Sequence, residues 1–275
     1  MQITTNLRKM RTRLDGRQAR YSLPVVDILD YSGEVAVHDW VGEQLSIQFE
    51  QAIHCIETGK KVRKTFGEGL SYEAFLTSPL ASPSNVHPEL SRIHEGIALR
   101  DLEWEEAHHN KPHYVYLSRT SEVKVGVTRT ANIPSRWIDQ GASEAVVLAE
   151  TPYRQLAGLI EVTLKDHFAD KTAWQKMLKN QTDDRTPLGE WKERAIGLLP
   201  AEYEPFISDE DTVVSIEYPV LRYPATVKSV KLDTSPCIKG TLAGIKGQYL
   251  LFSDGTVFNV RSHSGYRVTL TVGIT

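Results

Sequence analysis

Cysteine is almost missing from this chain. Of 275 residues, only Cys55 and Cys237 carry thiols. Two cysteines exclude a disulfide framework and a Cys-rich zinc module, because a structural zinc takes four protein ligands. Long apolar runs are missing too. No stretch approaches the roughly 18 residues needed to span a bilayer. The basic N-terminal ten residues are not followed by the apolar core of a secretory signal. These absences predict a cytoplasmic protein with no membrane partner. There is no excess of either charge: 32 Lys and Arg face 35 Asp and Glu, a net −3. With 40% hydrophobic and 24% charged residues, disordered, collagen-like and coiled-coil chains are excluded. No internal repeat is present, and the length suits one large domain or two to three small ones.

What charge there is falls unevenly. Residues 1–20 hold six bases and one acid, and residues 21–110 hold six bases and fifteen acids. Residues 111–180 hold ten bases and seven acids, and residues 181–275 ten and twelve. Such segregation lets an acidic protein carry a basic surface. Arg8, Lys9 and Arg11, with further arginines up to Arg20, are candidate contacts to a phosphate backbone.

The hydrophobic pattern gives an α+β reading. Strands are predicted at 21–28 and 44–53, a loop at the Pro- and Ser-rich 78–88, and a short helix at 91–99. Residues 113–117 and 122–128 read as a hairpin of β-branched and aromatic residues. A short helix over 133–140 should start at Pro134 and end at Gly141. A strand at 145–150 precedes the best helix, 153–169, whose apolar residues recur at helical spacing, and a helical extension is expected over 171–180. The tail alternates short strands (213–218, 225–232, 249–252, 257–260 and 266–272) with Gly, Pro and Asp-Gly turns, predicting a small barrel or sandwich. Its aromatics and bases, including Lys246, Tyr249, Phe252, Phe258, Arg261 and Tyr266, suit either stacking on single strands or a small core. The expected domains are an N-terminal β-rich region (1–53), a region at 54–111, an α/β core (112–180), a helical linker (181–212) and a C-terminal β domain (213–275).

The chemistry concentrates in the core. Val115-Tyr116, Lys124-Val125-Gly126, Thr128-Arg129, Arg136 ten residues after Gly126, and Glu161 in the next long helix stand in one order. This order and spacing resemble a GIY-YIG nuclease domain, in the variant whose second motif begins with lysine. The resemblance implies a three-stranded sheet with helices and metal-dependent cleavage of a nucleic-acid phosphodiester. Phosphodiester hydrolysis needs an activated water, a cation against developing phosphate charge and a stabilised leaving oxygen. By that resemblance Tyr116 positions or deprotonates the water, Arg136 grips the phosphate with its planar fork, and Glu161 binds one divalent cation, Mg2+ or a similar ion. Arg129 and Lys165 would add positive field toward DNA or RNA. Since Lys124 replaces the second tyrosine, the base is open between Tyr116, Tyr114 and Lys124; a lysine base needs a depressed pKa.

A wider resemblance spans most of the chain. Asn6 to Met10, His54-Cys55-Ile56, Pro112 to Leu117, Arg136 to Ala142 and Gly244 to Tyr249 are similar to the bacterial domain-of-unknown-function 2797 family. That family carries a cysteine-rich, zinc-like stretch in the region of 54–111. Here Cys55 remains, while Thr58, Ser71 and Ala74 stand where cysteines are expected, and Ser84, Ser91 and His109 look like further replacements. Either packing replaces the metal or histidines do; His87, His94, His108, His109 and His113 gather nearby without a diagnostic spacing. The expected function is a metal-dependent nuclease, with a non-catalytic nucleic-acid-binding protein as alternative and a protein-interaction scaffold as a third reading.

Overall fold

The computed structural model describes residues 1–168, 173–183 and 185–273. The chain divides into two compact units, one of Met1–Leu76 with Glu217–Thr275, the other of Thr77–Ile216. The architecture is α+β, and the candidate chemistry lies in the second unit.

In the first unit the two ends of the chain share a sheet. Its strands run in the order Gln2–Asn6, Tyr266–Val272, Gln44–His54, Cys237–Lys246, Tyr249–Phe252, Thr256–Asn259 and Lys228–Val230, with Lys61–Val62 paired to the end of Gln44–His54. All pairs are antiparallel except Lys228–Val230 with Thr256–Asn259. A three-stranded sheet joins Arg11–Asp15, Gln18–Asp27 and Asp30–Ala36. The described strands close no barrel, so the tail is not a small barrel of its own: its strands need N-terminal partners to bury their apolar faces. Leu45, Ile47, Phe49 and Ile53 are buried on alternate positions of Gln44–His54, as a half-covered strand requires. Phe252, Phe258 and Tyr266 are buried as well, so these tail aromatics form core rather than a stacking surface.

The second unit holds a four-stranded antiparallel sheet in the order Val214–Ser215, Glu144–Thr151, His113–Arg119, Val123–Arg129. The hairpin and third strand fall where alternation predicts them. One side of the sheet buries Val115, Leu117, Val123, Val127, Val146 and Leu148 against Ala157, Ile160 and Leu164 of the helix Arg154–Leu164 and against Leu188 and Ala195 of the helix Leu188–Leu198. The short helix Ser135–Asp139 follows Pro134 and ends before Gly141 at φ +74°.

Some expectations change. The helix predicted to reach 169 stops at Leu164, passes through a 3-10 turn at Lys165–His167 and leaves extended at Phe168, because the apolar periodicity ends there; residue 169 lies outside the described residues. Of the helix expected over 171–180, Trp174–Leu178 forms, and 171 and 172 lie outside the described residues. The short helix at 91–99 is only a 3-10 turn, Ile93–Glu95. The helix forms further on, at Leu102–His108. There the Asp101 carboxylate accepts from Trp104 N at 2.7 Å, and the buried Glu105 carboxylate accepts from the backbone of Leu99 and Arg100. No helix among the described residues is long and apolar enough to cross a membrane.

Candidate functional site

The hairpin His113–Arg119 and Val123–Arg129 sets the site. Tyr116 pairs directly with Gly126 across the ladder. The Tyr116 ring is fully buried and crosses the space a side chain at 126 would fill: a Cβ there would lie 2.7 Å from its hydroxyl oxygen. Glycine is therefore required by the close approach of a ring. The Tyr116 hydroxyl donates to Gln140 Oε1 at 3.1 Å and receives a hydrogen bond from Arg136, while its ring meets Trp137 edge-on at 6.1 Å. The short helix Ser135–Asp139, with the Gln140 that follows it, thus fixes this phenol.

Lys124 lies on the same strand as Gly126, two residues earlier, so it shares the face that Tyr116 occupies. Burial and the nearby Arg136 depress its ammonium to about 8, against the pull of Glu161. Burial raises the Tyr116 phenol, with Arg136 acting in the opposite direction. Glu161 comes from the helix Arg154–Leu164. Burial lifts its carboxyl to about 7, and Glu89 adds to the rise while Arg154, Arg136 and Lys124 oppose it. Four of the candidate residues, Tyr116, Lys124, Arg136 and Glu161, therefore form one electrostatically coupled cluster.

Two further members carry no motif. Arg154, in the first turn of the helix, donates through Nε to Ser84 O at 2.8 Å and through Nη2 to Asn85 O at 3.0 Å. Burial lowers its guanidinium to about 10 while Glu161 holds it up, so it stays charged at neutral pH. Glu89 enters because the segment Pro88–Leu90 lies against the helix at Gly158: a Cβ at 158 would run into the Glu89 nitrogen and lie 2.6 Å from the Pro88 carbonyl carbon. Both had a signal in the chain. A cation opens a helix at its positive dipole end, where it is disfavoured, and a glycine interrupts an apolar helix at a cost.

The remaining candidates scatter. Tyr114 stands opposite Glu150 in the ladder, and burial and then that carboxylate raise its phenol. Arg129 is half-buried, and its charge lowers the values of Arg154, His109 and His113. Lys165 is exposed four residues past Glu161. Arg8, Lys9 and Arg11 belong to the other unit.

The cysteine-replacement positions fall into separate groups, Cys55 with Thr58, Ser71 and Ala74 in the first unit and Ser84 with His109 in the second. Burial would raise the Cys55 thiol, but hydrogen bonds from the Thr58 side chain and from the backbone of Ser71, Thr58 and Glu57 bring it to about 7. Ser71 Oγ in turn accepts from Ala74 N at 3.2 Å. Ser84 and His109 lie 3.5 Å apart, and His109 Nε2 reaches Asn85 Oδ1 at 3.1 Å. The other histidines take separate partners: His94 stacks on Tyr153, His108 on Trp104, His113 Nδ1 donates to Lys111 O, and His87 meets Glu89. Among the described residues no three His, Cys, Asp or Glu side chains are grouped to hold a metal. A lone carboxylate such as Glu161 suits only an ion that keeps most of its waters, as magnesium does.

The chain belongs to the family described as "Protein of unknown function (DUF2797)", whose pattern matches residues 42–268. No curated protein and no solved structure matches it.

Proposed function

We propose that the second unit is a GIY-YIG-like nuclease core that hydrolyses a nucleic-acid phosphodiester with the help of a divalent cation. The observation that carries this reading is the meeting of Tyr116, Lys124, Arg136 and Glu161 in one cluster, in which the Lys124 ammonium and the Glu161 carboxyl are both drawn toward neutrality. Arg136 binds the phosphate and holds the Tyr116 hydroxyl. Tyr116 stays protonated, because its phenol is raised, and with Gln140 positions the Arg136 guanidinium for the phosphate. Lys124, near 8, has a neutral fraction at physiological pH and takes the water's proton as general base. Arg154 keeps Glu161 ionised enough to ligand a cation. When bound, Mg2+ or Mn2+ would neutralise charge on the phosphate and the leaving oxygen.

The second reading is nucleic-acid binding on the same fold without cleavage. The charge of this unit weighs against either reading unaided: residues 77–216 carry 15 bases and 22 acids, a poor field for gripping a polyanion. The test is incubation of the protein with branched, nicked, single- and double-stranded DNA and RNA, with Mg2+ or Mn2+ and with chelator, alongside Glu161→Gln. Metal-dependent cleavage lost in the variant supports the nuclease. Binding with no cleavage in either protein favours the second reading, and neither activity leaves a scaffold.

A further inference from the structure

Charge also separates between the two units. Against the net −7 of residues 77–216, the first unit carries 17 bases and 13 acids, a net +4. Part of this excess lines a groove of about 350 Å³ whose walls include Arg8, Lys9, Arg11 and Tyr31, with the apolar Pro24 and Val26. The one acid in its wall, Glu68, is engaged by Arg261.

The groove is built rather than accidental. The Arg8 guanidinium is half-buried and donates to the carbonyls of Leu7 at 3.0 Å and Ile28 at 2.6 Å, which ties the N-terminal segment to the end of the strand Gln18–Asp27. Arg11 lies 5.0 Å from the Tyr31 ring centroid, and its Nη1 donates to the Tyr31 hydroxyl at 3.3 Å. Tyr31 lies in the strand Asp30–Ala36 with 52% of its surface exposed, leaving ring surface open to a ligand. Cations tracking one side of a shallow groove, beside an exposed aromatic face braced by an arginine, is the arrangement that holds single-stranded nucleic acid: phosphates on the bases, a nucleobase on the ring.

We infer that this groove is a single-strand-binding site, in which Lys9 and Arg11 contact phosphates and Tyr31 stacks a base. The inference rests on the nucleic-acid part of the functional reading but not on cleavage. Double-stranded nucleic acid fits less well, since its bases are not free to stack on Tyr31.

The test is fluorescence anisotropy on the full chain with a fluorescein-labelled oligothymidylate longer than the roughly 4–16 nucleotides one such site spans, without divalent metal. Tyr31→Ala should weaken binding about tenfold while Tyr31→Phe keeps it, since stacking needs the ring and not the hydroxyl. Lys9→Gln with Arg11→Gln should flatten the salt dependence by about 1.4 in log–log slope, from two lost phosphate contacts. Arg17→Gln, a base paired with Glu217 at 3.2 Å outside the groove, serves as control and should change little. Unchanged affinity in the groove variants, an equal loss in the control, or no binding by the wild-type protein overturns the inference. Glu161→Gln should bind the oligonucleotide normally and cleave nothing; groove binding by a wild-type protein that shows no metal-dependent cleavage sinks the nuclease alone, and wild-type cleavage with no effect of the groove variants on binding sinks the groove alone.

Discussion

Gly126 lies opposite Tyr116 so closely that the tyrosine ring occupies the volume of a side chain at 126. The ring has nowhere to retreat, since it is fully buried and held by Gln140 and Arg136. Gly126→Ala should push the phenol off its partners, destabilise the protein by about 1–3 kcal/mol and lower cleavage by about 100-fold. Chemical denaturation and single-turnover cleavage read the two effects. Full activity in the alanine variant would remove Tyr116 from the site.

The rate of cleavage should rise with pH and level off on the alkaline side. Glu161 is ionised above about 7 and Lys124 is neutral above about 8, and both forms are the ones the proposed chemistry uses. A pH–rate profile should therefore climb from about 6 to 8.5. Lys124→Arg keeps the charge but cannot give up its proton, so it should be nearly inactive across this range. A flat profile would exclude Lys124 as the base.

The site is held against stability. Because the Glu161 carboxyl is raised in the folded state, its contribution is favourable below the unfolded value near 4.5 and is lost as pH rises through about 7. Glu161→Gln should thus stabilise the protein by about 1–3 kcal/mol at pH 8 and by little at pH 4.5. Thermal melts at the two pH values measure this, and equal effects at both would contradict it.

Acid should unfold the second unit through its histidines. Burial lowers His113 to about 4 and His109 to about 3, with the Arg154 charge acting the same way. The neutral imidazoles belong to the folded state, so their stability is fully present above about 6.5 and is lost as pH falls toward 4 and below. His113→Gln should blunt the loss of melting temperature between pH 6.5 and 4. An unaltered slope would show that His113 titrates normally.

Gly158 offers a purely structural check. Alanine is the better helix former by about 1 kcal/mol, yet its Cβ would collide with the Pro88 and Glu89 backbone. Gly158→Ala should therefore destabilise by about 1–3 kcal/mol and displace Glu89 from Glu161. Urea denaturation decides, and a stabilised variant would mean that the helix does not rest on that segment.

Elements that depend on neighbours in the chain are legible in the amino-acid pattern. Alternation set the hairpin at His113–Arg119 and Val123–Arg129, helical spacing set Arg154–Leu164, and Pro134 with Gly141 bracketed the short helix. The motif residues Tyr116, Lys124, Arg136 and Glu161 were legible for the same reason: they sit at fixed offsets on those elements. Tertiary structure decided the rest. Glu89 and Arg154 join the cluster through packing against Gly158 and through carbonyls of Ser84 and Asn85, contacts between segments about 70 residues apart. Strand pairing in the first unit was equally hidden. Gln2–Asn6 lies beside Tyr266–Val272, and Gln44–His54 lies between that strand and Cys237–Lys246. A strand's own residues fix which face is apolar, but any other strand with a matching face can satisfy its backbone, and only the folded chain selects which one does.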